Sequence, residues 1–82
     1  MRKFKDVSEE ELIAKVSETF YYYLINDVIE TKQNEILKDS FERRDEIIDN
    51  ILVGVQRYVE PDDTYEEFEN ILFETIERVI YS

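Results

Sequence analysis

Carboxylates are the side chains of this 82-residue chain that are most able to do chemistry. Asp and Glu number 21, whereas histidine and cysteine are absent and glycine occurs once. These counts exclude a thiol nucleophile, a histidine general base, metal sites built on Cys or His, and a glycine-rich phosphate loop. A catalytic carboxylate needs a pKa raised by burial, yet almost all of these acids fall on polar helix faces. We therefore expect a protein that is not an enzyme.

The densest acidic stretch runs from residue 60 to residue 69 and contains no basic residue. A calcium loop has a glycine in its middle and ligands at fixed spacings, and this stretch has neither. We predict no metal ion and no cofactor, and interpret the stretch as a partner-binding surface. An equally good interpretation is that these residues cap and solubilise the last helix. They are Glu60, Asp62, Asp63, Tyr65, Glu66, Glu67 and Glu69.

Three consecutive tyrosines, Tyr21 to Tyr23, add a second candidate for binding. Successive residues of a helix point about 100° apart, so the three rings cannot all enter one small core. We expect Tyr22 to be exposed and to contribute to a partner-binding surface, because tyrosine combines a large rigid ring with a polar tip. The alternative is that Tyr22 lies along the surface beside charged side chains.

The tripeptide Asp39-Ser40-Phe41 resembles the Asp-Ser-Leu attachment site of acyl and peptidyl carrier proteins, which are acidic helical domains of about this length. The resemblance implies a cofactor arm on Ser40, at the start of an acidic helix. Family members carry a glycine shortly before the Asp-Ser pair, where this chain has Leu37 and Lys38. A carrier protein modified at Ser40 is therefore a minor alternative, since helix capping by Asp39 or Ser40 also explains the tripeptide.

Capping signals and apolar periodicity position these residues on helices. Ser8 with Glu11, and Thr64 with Glu67, have the spacing of a capping box. Pro61 ends the helix that precedes Thr64. We predict an all-α fold, a small single-domain bundle of three helices over roughly 8–31, 35–59 and 64–81. A fourth helix arises if the middle one restarts at Asp39, which has capping-box spacing to Glu42.

Each predicted helix carries one apolar stripe that we expect to form the core. The single glycine, Gly54, lies inside the middle helix at a cost of about 1 kcal/mol relative to alanine. It indicates either close backbone packing or a tolerated substitution. The stripes are Leu12, Ile13, Val16, Phe20, Tyr23 and Leu24; Leu37, Phe41, Ile48, Ile51, Leu52, Val55, Tyr58 and Val59; and Phe68, Ile71, Leu72, Thr75, Ile76, Val79 and Ile80.

The charge distribution is the strongest indication of function. The net charge is −11, and the first five residues hold three of the ten basic side chains. Such a chain repels nucleic acids and anionic membranes, and it attracts basic proteins. No run of 18 apolar residues is present, and the basic start lacks the apolar stretch of a secretory signal. We expect a cytoplasmic protein with a basic protein partner, without direct contact with nucleic acid or membrane.

We therefore predict an acidic helical protein that inhibits or regulates a basic, nucleic-acid-handling protein. Immunity proteins, antitoxins and phage anti-defence proteins act in this way, some by imitating the charge of DNA. The residue usage favours AT-rich codons, which fits a phage or mobile element of a low-GC bacterium. The alternative is a self-assembling structural or adaptor bundle, such as a homodimer, because Ile25, Val28 and Ile29 extend the apolar surface of the first helix.

Overall fold

A computed structural model describes the backbone of residues 1–31 and 34–81, and the side chains of residues 1–26 and 38–81. Within these ranges, a 3₁₀ turn over Phe4–Asp6 precedes four α-helices: α1 over Glu9–Thr31, α2 over Asn34–Glu42, α3 over Arg44–Tyr58 and α4 over Tyr65–Ile80. The all-α prediction is confirmed, and the described residues form four α-helices, the larger of the two numbers that the sequence allowed.

The middle helix breaks at Arg43 rather than at Asp39. Asp39 lies inside α2, and its carboxylate accepts a hydrogen bond from the Arg43 guanidinium at 3.3 Å. Arg43 also donates to Glu46 at 3.1 Å, and these two acids raise its pKa, the bond to Glu46 contributing most. The predicted capping box of Asp39 with Glu42 is therefore wrong. Asp39 bridges the junction of two helices instead of starting one.

The predicted N-caps at Ser8 and Thr64 are confirmed by the hydrogen bonds that their side chains accept. The Ser8 hydroxyl accepts from the Glu11 amide, and the Thr64 hydroxyl accepts from the Glu67 amide, each at 3.1 Å. The Glu11 carboxylate binds the Arg2 guanidinium, which fastens the start of the chain to α1. α3 ends three residues before Pro61, as the sequence predicted.

The core consists of one stripe from each of α1, α3 and α4. Most of the predicted positions are confirmed, and Ile47, which the predicted middle stripe omitted, is buried as well. Successive buried residues are four or fewer positions apart, so each stripe is narrow. The buried apolar residues are Leu12, Val16, Phe20 and Leu24; Ile47, Ile51, Val55 and Val59; and Phe68, Leu72, Ile76 and Ile80.

Three residues assigned to these stripes are exposed instead. Ile13 lies at the edge of the α1 stripe, while Phe41 and Tyr58 are about half exposed. The break at Arg43 takes Phe41 off the buried face of α3, and the Arg44 guanidinium covers its ring at 5.2 Å. Leu37, also assigned to the core, lies outside the described side chains.

Gly54 lies where α3 packs closely on α4. A Cβ atom at this position would lie 2.7 Å from the Cγ2 methyl of Thr75, well inside van der Waals contact. Thr75 is buried, and its hydroxyl donates to the Ile71 carbonyl at 2.7 Å. Turning the methyl away would break this hydrogen bond. The close packing that the glycine indicated is therefore present.

None of the helices within the described ranges combines the length and the apolar character needed to cross a bilayer.

We predict that Gly54→Ala lowers the free energy of unfolding. Overpacking against Thr75 costs about 1–3 kcal/mol, which outweighs the gain of about 1 kcal/mol from helix propensity. Urea denaturation should show that the sign reverses in a Thr75→Ser background, where the methyl is absent and the hydroxyl remains. A similar loss of stability from Gly54→Ala in both backgrounds would contradict the proposed contact.

Candidate functional site

The turn between α3 and α4 contains several of the predicted partner-binding residues, and its fold depends on them. The Asp63 carboxylate accepts from the Glu60 amide at 2.9 Å, and the Asp63 amide donates back to the Glu60 carbonyl at 3.0 Å. Thr64 then caps α4. The capping interpretation, which the sequence left open, thus applies to Asp63, whose carboxylate closes the turn.

The basic start of the chain packs directly on this turn. The Phe4 amide donates to the Asp63 carbonyl at 2.8 Å, and the Tyr65 amide donates to the Arg2 carbonyl at 2.9 Å. The amino groups of Lys3 and Lys5 lie 3.7 and 3.4 Å from the Asp62 carboxylate. The protein's own basic segment therefore neutralises Asp62.

An aromatic cluster fixes the same segment to α4. The Phe4 ring packs on the buried Phe68 ring at 5.1 Å, and Tyr65 meets Phe68 edge-on at 5.3 Å. The Arg2 guanidinium covers the Tyr65 ring at 5.0 Å. Tyr65 is thus half-buried by intramolecular contacts, although the sequence assigned it to partner binding.

The acids on the outer face of α4 are differently placed. Their side chains are exposed and form no ion pair with any described residue. The one basic residue of α4, Arg78, lies over the Tyr58 ring at 4.9 Å. This face, which we call the acidic face, therefore keeps its negative potential. It comprises Glu66, Glu67, Glu74 and Glu77.

A cleft of about 240 Å³ between α1 and α4 adjoins the acidic face. It brings together Tyr22 and Glu69, which the sequence predicted as binding residues, with Glu18 and Phe73, which it did not. Each helix contributes an acid and an aromatic residue four positions apart, hence on one face. That spacing is present in the sequence, but it acquires meaning only when α1 and α4 lie side by side.

Lys15 also lines this cleft. Its amino group lies 3.1 Å from the Glu69 carboxylate, and that hydrogen bond is the main reason that the pKa of Lys15 is raised. The cation of Lys15 is thereby offset by Glu69. Glu18 also contributes to the raised pKa of Lys15, but no ion pair joins its carboxylate to another described residue.

Ser40 does not lie where the carrier resemblance implies. It is 3% exposed and lies well inside α2, whereas the carrier resemblance places the modified serine at the exposed start of a helix. Nor does any part of the described chain gather three or more acidic side chains closely enough to hold a metal ion.

Comparisons with protein-family models, with curated proteins and with solved structures find no match for this chain. Its function is therefore inferred from the arrangement of its side chains.

Phe4 rather than the lysines should hold the basic segment on the turn. We expect Phe4→Ala to lower the free energy of unfolding by about 2 kcal/mol, because a half-buried ring loses its contact with Phe68. Lys3→Ala with Lys5→Ala should cost less than about 1 kcal/mol, since both ion pairs are exposed. Urea denaturation of the two variants compares these costs, and a larger loss from the lysine pair would contradict this view.

The Lys15–Glu69 pair can be tested by titration. Because the pKa of Lys15 is raised in the folded protein, the stabilisation by the pair should be complete below the ordinary lysine pKa of about 10.5 and lost as pH rises through the higher folded value. Carbon-13 NMR of the Lys15 Cε should report this pKa. Glu69→Gln should lower it further than Glu18→Gln does, and equal effects would refute the pairing.

Proposed function

We propose that this protein binds a basic, nucleic-acid-handling protein through the acidic face of α4 and inhibits or regulates it without catalysing a reaction. One observation supports the proposal above the others. The acidic face retains four carboxylates without intramolecular ion pairs, whereas Lys3, Lys5, Lys15 and Arg43 are paired with other acids of the chain. The four carboxylates of the acidic face therefore give this side of α4 a local excess of negative charge.

The acidic face is well suited to a rigid, charged interaction. α4 is a regular helix fixed along its other side by Phe68, Leu72 and Ile76, so the carboxylates are presented at constant spacing. Carboxylates displayed in this way attract a cationic surface and accelerate association at low salt. A protein whose cationic surface binds nucleic acid would be blocked while the acidic face occupies it.

The proposed interface is narrower than the stretch that the sequence indicated. Asp62, Asp63 and Tyr65 already have partners within the chain, so substitutions of Asp63 and Tyr65 would disturb the turn as well as binding. Glu60, Glu66 and Glu67 stay in the proposed interface because their carboxylates form no described ion pair. Tyr22 and Glu69 join it from the side of the cleft.

Partner capture with two matched variants tests the proposal. The test variant carries Glu66→Gln, Glu74→Gln and Glu77→Gln, and the control carries Glu42→Gln, Asp45→Asn and Asp49→Asn. Each changes the net charge by the same amount and neutralises one acid in the first turn of a helix. From lysate of a low-GC bacterium, the parent chain and the control should retain a basic protein at about 50 mM salt that weakens at about 500 mM, and the test variant should not.

Inhibition is then measured on the captured protein itself. Its affinity for nucleic acid should fall when the parent chain is added and stay unchanged with the test variant. Equal capture by the test variant and the control would refute the acidic face as the interface. Nucleic-acid binding that persists in the presence of saturating parent chain would refute inhibition.

Self-assembly is the second candidate function, and one observation favours it. Ile25 and Tyr22 are each more than 60% exposed on α1, which leaves apolar surface available to a second copy. Val28 and Ile29, which the sequence added to this surface, lie outside the described side chains. Light scattering decides between the candidates: an oligomer that persists at about 500 mM salt, with no captured protein, would favour self-assembly.

A further inference from the structure

The exposed aromatic residues of this protein show a recurring arrangement. Three different arginines each cover one ring. The guanidinium of Arg44 lies 5.2 Å from the Phe41 ring, and that of Arg78 lies 4.9 Å from the Tyr58 ring. The guanidinium of Arg2 lies 5.0 Å from the half-buried Tyr65 ring. A guanidinium is weakly hydrated and planar, so it stacks well on a ring that remains open to solvent. An arginine of the same chain thus covers each of these three rings, whereas the exposed Tyr21 packs against the Phe20 ring instead.

The two aromatic residues of the cleft between α1 and α4 differ from these. Tyr22 is 61% exposed and Phe73 is 41% exposed, and neither ring contacts a cation or another ring of the described chain. Both line the same cleft as Glu18, whose carboxylate is not paired. The cleft therefore combines two uncovered rings with one carboxylate that forms no ion pair with a described residue.

We propose that this cleft binds one arginine side chain of the basic protein partner, with its guanidinium on the rings of Tyr22 and Phe73 and paired with the Glu18 carboxylate. The proposal rests on the proposed function, since it specifies where that partner inserts a side chain. Arginine fits better than lysine, because the guanidinium stacks on rings and can bind a carboxylate through two parallel hydrogen bonds.

The volume and charge of the cleft agree with this occupant. A space of about 240 Å³ accommodates one long side chain but not a helix or a strand. Lys15, the one cation in the lining, is paired with Glu69 at 3.1 Å, which leaves the Glu18 carboxylate without an ion pair to a described residue. Glu66 precedes Glu69 and Glu77 follows Phe73 by about one turn of α4, which extends the negative potential along the cleft.

A short peptide tests the cleft without the partner. We would titrate the folded chain with acetyl-Gly-Arg-Gly-amide and follow the NMR signals of the Tyr22 and Phe73 rings and the Glu18 amide. Saturable shifts confined to these residues are expected, with acetyl-Gly-Lys-Gly-amide binding about 3-fold or more weakly. Equal affinity for the two peptides, or shifts spread over all the acidic residues, would overturn the proposal.

Variants then separate the rings from the charge. Tyr22→Leu, Phe73→Leu and Glu18→Gln should each weaken binding of the arginine peptide by about 3-fold or more, while Asp45→Asn, which makes the same charge change on α3, should alter it by less than 2-fold. Every substituted residue is exposed, and circular dichroism confirms the helical content. An effect of Asp45→Asn equal to that of Glu18→Gln would show general screening and contradict a site.

The capture experiment distinguishes this proposal from the proposed function. If the chain captures and inhibits a basic protein, and the cleft variants do so equally well, the function stands and the arginine site is wrong. If the arginine peptide binds in the cleft but no basic protein is captured, the site stands and the proposed function is wrong.

Discussion

The contact of Gly54 with Thr75 is the constraint on which the rest of this structure depends. Because no Cβ fits between them, α3 and α4 approach more closely at this point than side chains would otherwise allow. Ile51 and Val55 of α3 and Leu72 and Ile76 of α4 belong to the one core cluster of the described residues. Because α4 turns Leu72, Thr75 and Ile76 inward, the acids of the acidic face lie on its exposed side. The packing of α3 on α4 therefore decides on which surface these carboxylates are displayed.

Among the described residues, some charged side chains form ion pairs within the chain, and others remain unpaired at the surface. The basic segment at the start of the chain pairs with Glu11 of α1 and Asp62 of the turn, and Lys15 of α1 pairs with Glu69 of α4. These pairs connect α1, the turn and α4. These exposed pairs contribute little stability singly, and the aromatic contact of Phe4 with Phe68 holds the segment more firmly. The acidic face of α4 takes no part in this pairing, and the aromatic cleft lies at its edge. The proposed function concerns the acidic face, and the further inference concerns the cleft.

The arginine–aromatic contacts link stability to recognition in a small protein. A chain of 82 residues cannot bury all of its large rings, so several must meet solvent. Covering a ring with a guanidinium of the same chain reduces its apolar exposure without enlarging the core. The same interaction, offered by a partner, would cover the remaining rings of the cleft. A binding site can thus arise from rings that the chain's own arginines leave open.

The sequence by itself determined the all-α class, the N-caps at Ser8 and Thr64, the stop near Pro61 and most of the core, because these depend on residues within a few positions of one another. It also predicted the exposure of Tyr22 from helical geometry alone. The tertiary structure decided the break at Arg43, the exposure of Ile13, Phe41 and Tyr58, and the division of the acidic stretch into residues that build the turn and residues that face solvent. It alone brought Tyr22 beside Glu69, since no local pattern specifies which faces of α1 and α4 adjoin. Contacts between distant segments depend on how helices pack, and that packing is a property of the whole chain.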